Sequence, residues 1–268
     1  MATYLDRIID SHRCAAAADD RRLDALIDGT RALPAPRGFV EALVAAPDGQ
    51  PAVIAEVKRR SPSRGDLAAD LDPGAAAVEY VTGGAACLSV LTDVDHFGGS
   101  PDDLRVARSA VAVPVLRKDF TVDARDVCDA RLMGADAVLL IAAALDDVEL
   151  ADFHALALEV GLDALVEIHD EAELERALAV DARLVGVNQR DLATFEVDTA
   201  RAVRMAPRMP EAVVRVAESG IRGPDDARTL VGAGYHALLV GESVVTSDDR
   251  AAAVRALRGV ANGPSDGG

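Results

Sequence analysis

Aromatic residues are scarce in this chain: 268 residues include five phenylalanines, three tyrosines and no tryptophan. Surfaces on which nucleic-acid bases could stack are therefore few. Positive charge is also in short supply, since 28 Lys and Arg face 45 Asp and Glu and the formal net charge is -17. Attraction to nucleic acid or to an anionic membrane surface needs a basic field, so this balance opposes both. An anionic small ligand must then be held by a local cluster of basic side chains and backbone N–H groups.

Cysteine is sparse as well, and Cys14, Cys87 and Cys128 are widely separated, without CxxC spacing. This pattern argues against a disulfide framework or a zinc site and predicts a reducing compartment. The first ten residues carry acidic side chains and no small-residue cleavage site, so a secretory signal is not expected. No apolar run approaches the roughly 20 residues of a membrane span. We therefore expect a soluble, cytoplasmic protein.

Strand-like and helix-like segments alternate from about residue 52 onward. Residues typical of helix starts and helix ends separate these segments; Asp72-Pro73 marks a start and Gly134 marks an end. Eight such units favour an α/β fold, a closed (βα)8 TIM barrel, which typically needs about 250 residues. The predicted strands lie near 52–57, 85–90, 113–117, 136–141, 163–167, 184–188, 213–217 and 237–240.

The chain is predicted to form one domain, 1-262. Its first part, 1-47, shows apolar residues at helical spacing, such as Leu5 and Ile8, and is expected to be a helical extension packed on the barrel. The last residues, 263-268, cannot bury enough apolar surface to become ordered, so a flexible C-terminal tail is expected.

Polar residues recur at the ends of four apolar strands, as Glu56 and Lys58, Lys118, Glu167, and Asn188 with Arg190. Charge in the last residues of a buried strand is costly unless it is paired or belongs to a site. In a β/α barrel, that end of each strand is where catalysis takes place. One such residue alone could equally form a surface ion pair. Repetition on four strands favours a single shared site.

Two glycine-containing turns follow predicted strands 7 and 8, at Ser219-Gly220 and Gly241-Glu242, and a basic, hydroxyl-rich loop, 59–66, follows strand 1. A glycine after a strand often serves only the turn, and a basic loop can simply be solvated. Barrels commonly bind phosphate at the loops after strands 7 and 8, and mobile loops often close over anionic substrates. Together with the cations on strands 1, 3 and 6, these loops favour a phosphate site.

The histidines offer no metal-ligand spacing in the sequence, and none is assigned a catalytic role. Segment 93–100 superficially reads as a metal loop, but its acidic residues favour a turn, and Phe97 is expected to wall a substrate ring. No metal is predicted. The five histidines are His12, His96, His154, His169 and His236.

Segment 54–65, Ile-Ala-Glu-Val-Lys-Arg-Arg-Ser-Pro-Ser-Arg-Gly, resembles the signature of the indole-3-glycerol phosphate synthase family. The resemblance implies a (βα)8 barrel with an N-terminal helical extension, without a metal or organic cofactor. It also implies conversion of 1-(2-carboxyphenylamino)-1-deoxyribulose 5-phosphate to indole-3-glycerol phosphate, with loss of carbon dioxide and water, in tryptophan biosynthesis. Further segments resemble the family in the same order, namely 88–93, 114–120, 165–171, 186–192 and 218–221.

By this resemblance, Lys118 is the general acid of ring closure, Glu167 is the acid/base residue of dehydration, and Glu56, Lys58 and Asn188 complete the catalytic set. The sequence differs from the family pattern at Gln189 and at 243–245, and these differences concern detail of the expected phosphate site. The resemblance also implies that Asn188 and Arg190 position the substrate hydroxyls and the anthranilate carboxylate. Further substrate contacts are implied for the phosphate at Ser61, Ser219, Gly220 and Gly241, which join Lys58, for the aromatic ring at Phe97, Phe120 and Leu139, and at Glu218 and Glu242.

Two other functions fit a barrel with charged strand ends. Lysines there also serve aldolases that form Schiff bases, and a barrel can bind phosphosugars without catalysis. The resemblance favours the synthase over the aldolase, and two acids beside two bases are more than binding needs. The expected partner is a phosphorylated small-molecule substrate, not nucleic acid or membrane, and the expected state is a monomer or weak homodimer.

Overall fold

The computed structural model describes residues 3–47 and 49–259, in which eight parallel strands close into a barrel. Nearly every strand residue is buried, as expected for parallel strands covered on both faces. The order around the barrel follows the chain, and β8 closes on β1 through Ala52 and Ala237. The strands are β1 Ala52–Val57, β2 Cys87–Leu91, β3 Val115–Lys118, β4 Ala137–Ile141, β5 Asp163–Ile168, β6 Leu184–Asn188, β7 Val214–Glu218 and β8 Ala237–Val240.

Helices surround the barrel, and short acidic or hydroxyl side chains cap many of their N-termini. Asp72, Asp123 and Asp146, for example, accept hydrogen bonds from the first backbone N–H groups of the helix that follows. The helices are α1 Tyr4–Ala17, α2 Leu23–Arg31, α3 Phe39–Val44, α4 Pro73–Thr82, α5 Val94–Phe97, α6 Pro101–Ala110, α7 Ala124–Met133, α8 Asp147–Glu159, α9 Glu171–Ala179, α10 Arg201–Met205, α11 Pro224–Gly232, α12 Glu242–Val245 and α13 Arg250–Arg258.

The N-terminal extension reaches both ends of the barrel. Helix α3 covers the amino ends of the strands, where the backbone N–H groups of Phe39 and Val40 donate to Asp163 at 2.9 and 3.0 Å. Helix α1 lies at the opposite end, where Arg13 pairs with Glu149 at 2.6 Å. The mouth of the barrel is therefore partly walled by residues that precede the first strand.

The predicted barrel and the helical character of the extension are confirmed, and every predicted strand lies within two residues of an observed one. The predicted tail, 263-268, lies outside the described residues. Among the helices described, none has both the length and the apolarity needed to cross a membrane.

Candidate active site

A cavity of about 530 Å³ opens at the carboxyl ends of the strands. The structure brings every predicted site residue to its lining, including the residues that are more than 150 positions apart in the chain, such as Glu56 and Glu218. Parallel strands in a closed barrel all end on one rim, which explains how such distant residues meet. Those lining residues are Glu56, Lys58, Ser61, Phe97, Lys118, Phe120, Leu139, Glu167, Asn188, Arg190, Glu218, Ser219, Gly220, Gly241 and Glu242.

Lys118 and Glu167 form the centre of this cavity. The Lys118 Nζ donates to Glu167 Oε2 at 3.0 Å, and Asn188 Nδ2 donates to Glu167 Oε1 at 3.0 Å. Burial lowers the pKa of Lys118, but the negative charges of Glu167, Glu218 and Glu56 outweigh it and raise that pKa above its usual value. The side chain is therefore an ammonium group, placed where it can donate a proton to a ligand in the cavity.

Glu167 and Glu218 are both buried, yet their surroundings push their pKa values apart. Burial raises the pKa of Glu167, but Lys118, His169 and the Asn188 amide outweigh it and lower that pKa to about 2. Burial and the nearby charge of Glu167 raise the pKa of Glu218 well above its ordinary value. Two acids with divided pKa values can hold one ionised and one protonated carboxyl side by side, which suits acid/base chemistry.

Gly186 on β6 makes room for Glu218. A Cβ at Gly186 would collide with Glu218 Oε1 and would stand 3.2 Å from Leu165 Cδ1. No hydrogen-bond partner for Glu218 Oε1 exists among the described residues, although this atom is buried. Burying a polar atom without a hydrogen-bond partner costs free energy. Because Glu218 lines the cavity, this atom is available to a ligand there.

Glu56 and Lys58 project from the end of β1 into the cavity, as predicted from their shared face, and they form an ion pair. The Ser89 hydroxyl lies 3.4 Å from Glu56 Oε2 and can donate to it. A Cβ at Gly241 would collide with Glu56 Oε1 and lie 3.0 Å from Lys58 Nζ. The absence of a side chain at Gly241 thus lets the β8 turn approach this pair closely.

The turn after β7 has a backbone shape that only a few residue types adopt readily. Ser219 has φ of 65° and Gly220 has φ of 71°, both in the left-handed region. Gln189 Nε2 donates to Ser219 O at 2.8 Å and so supports this turn from the neighbouring strand. The departure from the family pattern at Gln189 therefore falls on a residue that holds the predicted phosphate loop in shape.

The loop after β1 folds over the cavity as a short hairpin, in which Arg60–Ser61 pairs with Gly65–Asp66. Arg64 at its tip bonds Glu242 Oε1 at 2.7 Å, which joins this loop to the turn after β8. Arg59 points away from the cavity and donates to Gly98 O and Leu71 O, each at 3.1 Å. Arg59 therefore anchors the hairpin.

An apolar wall faces these charges. The Phe97 and Phe120 rings lie 6.3 Å apart between centroids and are tilted by 39°. Leu139, inside the barrel, contributes to the same cavity. This side of the cavity suits a flat aromatic ring.

The sequence did not identify several residues that line the cavity. Tyr4, Leu5 and Ile8 arrive from α1, and Asp93 and Phe195 arrive from loops. The apolar spacing of α1 predicted a buried face, but the spacing alone could not show which end of the barrel that face covers.

Comparisons with known proteins place this architecture in a family. The sequence model described as "Indole-3-glycerol phosphate synthase" matches residues 5–257. The chain belongs to the indole-3-glycerol phosphate synthase family. Its relatives include proteins of that name from Nocardioides sp., 55% identical over 78% of this chain and 80% of the relative, and from Leptothrix cholodnii, 47% identical over 96% of this chain and 99% of the relative.

A solved structure outside this synthase family shares the fold alone. Thiamine phosphate pyrophosphorylase from Pyrococcus furiosus superposes with a TM-score of 0.59, covering 80% of this chain and 96% of that one, at 16% sequence identity. At this identity the likeness extends to the barrel and carries nothing about the synthase site.

Proposed function

We propose that this protein converts 1-(2-carboxyphenylamino)-1-deoxyribulose 5-phosphate to indole-3-glycerol phosphate, with release of carbon dioxide and water. The observation that carries the proposal is the half-buried Lys118 ammonium, 3.0 Å from an ionised Glu167 and 3.8 Å from Glu218. Family membership supports the same reaction.

Ring closure requires a proton for the ketone oxygen as it becomes an alkoxide. Lys118 is the proposed donor, because its ammonium is desolvated and held at the cavity centre by carboxylates. Attack of the anilino ring then forms the new carbon–carbon bond, and loss of carbon dioxide restores the ring's aromaticity.

Dehydration then requires one proton to be removed and another to be given to the departing hydroxyl. Glu167 is the proposed acid/base residue for this step, with Asn188 fixing its carboxylate. The raised pKa of Glu218 supplies a neutral carboxyl beside it, which can donate a hydrogen bond to a substrate oxygen.

The two ends of the substrate fit different sides of the cavity. Lys58 and the backbone of the Ser219-Gly220 and Gly241 turns are the proposed phosphate contacts, with Ser61 on the hairpin closing over them. Phe97, Phe120 and Leu139 are proposed to flank the aromatic ring, with Arg190 toward its carboxylate. The Arg64 contact to Glu242 would then close the hairpin over bound phosphate.

The aldolase alternative conflicts with the electrostatics at Lys118. Schiff-base formation needs a neutral amine as nucleophile, whereas the carboxylates around Lys118 raise its pKa and keep it charged. Borohydride added with the substrate should therefore leave Lys118 unlabelled.

A turnover assay tests the proposal directly. Purified protein, treated with a chelator and mixed with the carboxyphenylamino deoxyribulose phosphate, is expected to produce the indole chromophore, followed by absorbance and mass spectrometry. No product, or product only after metal is added, would contradict the proposal. A cytoplasmic location and a monomer or weak homodimer are also proposed, and light scattering of the purified protein tests the second.

A further inference from the structure

Two histidines from distant parts of the chain meet at one buried carboxylate on the rim of the barrel. His12 Nε2, on α1, lies 3.0 Å from Asp93 Oδ2, and His96 Nδ1, on α5, lies 3.1 Å from the same oxygen. All three ligand-type atoms lie within 4.8 Å of one another. The acid/base steps proposed above use none of these three side chains.

The carboxylate of Asp93 is fixed in a way that leaves one oxygen for a ligand. Its Oδ1 accepts hydrogen bonds from the backbone N–H groups of His96 and Phe97, at 2.6 and 3.1 Å. Its Oδ2 faces the two imidazoles, and the side chain is 3% exposed. Hydrogen bonds to the second oxygen of a liganding carboxylate are the usual outer support of a metal site.

The two imidazoles are partly held and partly open to solvent. The His96 ring meets Tyr4 edge to face, with centroids 6.0 Å apart, and the His12 ring lies 5.5 Å from that of Phe120. The His12 and His96 side chains are 22% and 21% exposed, respectively, so an ion has a route to the cluster.

We propose that His12, Asp93 and His96 bind a zinc ion. Two imidazole nitrogens and one carboxylate oxygen are a donor set that zinc accepts in proteins. Ligands about 2.0–2.2 Å from a tetrahedral zinc stand roughly 3.3–3.6 Å apart, so the two observed contacts to Asp93 need to lengthen only slightly. Asp119 Oδ1, 3.9 Å from His12 Nε2, adds a negative charge beside the cluster.

Zinc at this cluster joins the N-terminal extension to the barrel. His12 belongs to α1, which supplies Tyr4, Leu5 and Ile8 to the cavity, whereas Asp93 and His96 belong to the turn after β2. The ion therefore clamps one wall of the cavity in place. It takes no part in the proposed reaction, so turnover in chelator and zinc binding are separate results.

Calorimetric titration of tag-free protein with zinc chloride tests the site. Cys14 is exposed and lies two positions from His12, so the titration is made in a Cys14→Ser background to remove a competing thiol. One zinc per chain is expected, together with a rise of a few degrees in Tm and slower amide exchange in α1. Crystals grown with zinc should show anomalous density within about 2.2 Å of all three side chains.

His12→Gln and His96→Gln test the ligands, because a glutamine amide can still donate to Asp93. Each is expected to weaken zinc binding at least tenfold and to abolish the zinc-dependent rise in Tm. His236→Gln is the matched control, since His236 is exposed and immediately precedes β8, and it should bind zinc like the parent. Equal zinc binding by the parent and either ligand variant, or no binding by the parent, would overturn the proposal.

Discussion

The two ends of the barrel both bury carboxylates, but they satisfy them differently. At the amino ends, Asp136 is fully buried and accepts hydrogen bonds from the Arg37 N–H, the Arg108 guanidinium and the Val115 N–H, at 2.8 to 2.9 Å. At the carboxyl ends, Glu218 is buried beside another carboxylate, and its Oε1 lacks a partner among the residues that the structure describes.

This contrast distinguishes a buried carboxylate that stabilises the fold, Asp136, from buried carboxyl groups that serve the proposed acid/base chemistry, Glu167 and Glu218. The donors around Asp136 tie strand β3, helix α6 and the N-terminal extension to one side chain. Around Glu218 and Glu167, the main cation is Lys118, which they share. A buried charge whose hydrogen bonds are all made rigidifies a structure. Buried charges that share one partner instead shift one another's pKa values.

Replacing Lys118 should give the largest effect on activity. Lys118→Met keeps the length of the side chain and removes the proton donor, so kcat is expected to fall roughly 10²–10⁴-fold while KM changes much less. Steady-state kinetics with the carboxyphenylamino deoxyribulose phosphate measures both constants.

Lys118→Arg is the control for charge, because it keeps a cation that donates protons poorly. It should retain binding and recover little of the turnover. A rise in KM with unchanged kcat in Lys118→Met would make Lys118 a binding residue. The buried charges at the carboxyl ends could then no longer be assigned to catalysis.

Replacing Asp136 should give the largest effect on stability. Asp136→Ala leaves the Arg37 and Val115 backbone N–H groups and the Arg108 guanidinium without their acceptor, so the free energy of unfolding is expected to fall by about 3 kcal/mol. Urea denaturation measures the loss, while kcat of the folded protein should stay near the parent value.

Asp102→Ala is the matched control, since its side chain is 84% exposed in an ion pair with Arg105. Its effect should stay within about 0.5 kcal/mol. Equal losses of unfolding free energy in Asp136→Ala and Asp102→Ala would mean that the buried hydrogen bonds of Asp136 stabilise the fold no more than an exposed ion pair does.

The sequence predicted most of the fold and the membership of the site, for identifiable reasons. Apolar runs that alternate with capped helices mark the strands, and polar residues such as Lys118 and Glu167 stand where those runs end. Since every parallel strand ends on one rim, strand order alone brings these residues together.

The sequence could not predict what depends on distances between strands. The raised pKa of Glu218 follows from its burial and from its approach to Glu167 across Gly186, which no local pattern encodes. The contact between His12 and Asp93 joins residues 81 positions apart and depends on how α1 docks. Spacing in the sequence reveals local metal motifs, and this cluster is not local.

Glu218→Gln should give the smallest and most informative effect. Because the pKa of folded Glu218 is raised above its ordinary 4.5, the folded state keeps a proton that the unfolded state releases, and the free energy of unfolding falls as pH rises above about 4.5. Glutamine stays neutral, so the variant should be more stable than the parent by about 1 kcal/mol at pH 7.5, with lower turnover. This difference should shrink as the pH falls toward 4.5, whereas Glu211→Gln, at an exposed site, should show none. A difference that grew on acidification would mean that the folded protein stabilises Glu218 as a carboxylate, which would contradict its raised pKa and remove this contrast between the two ends of the barrel.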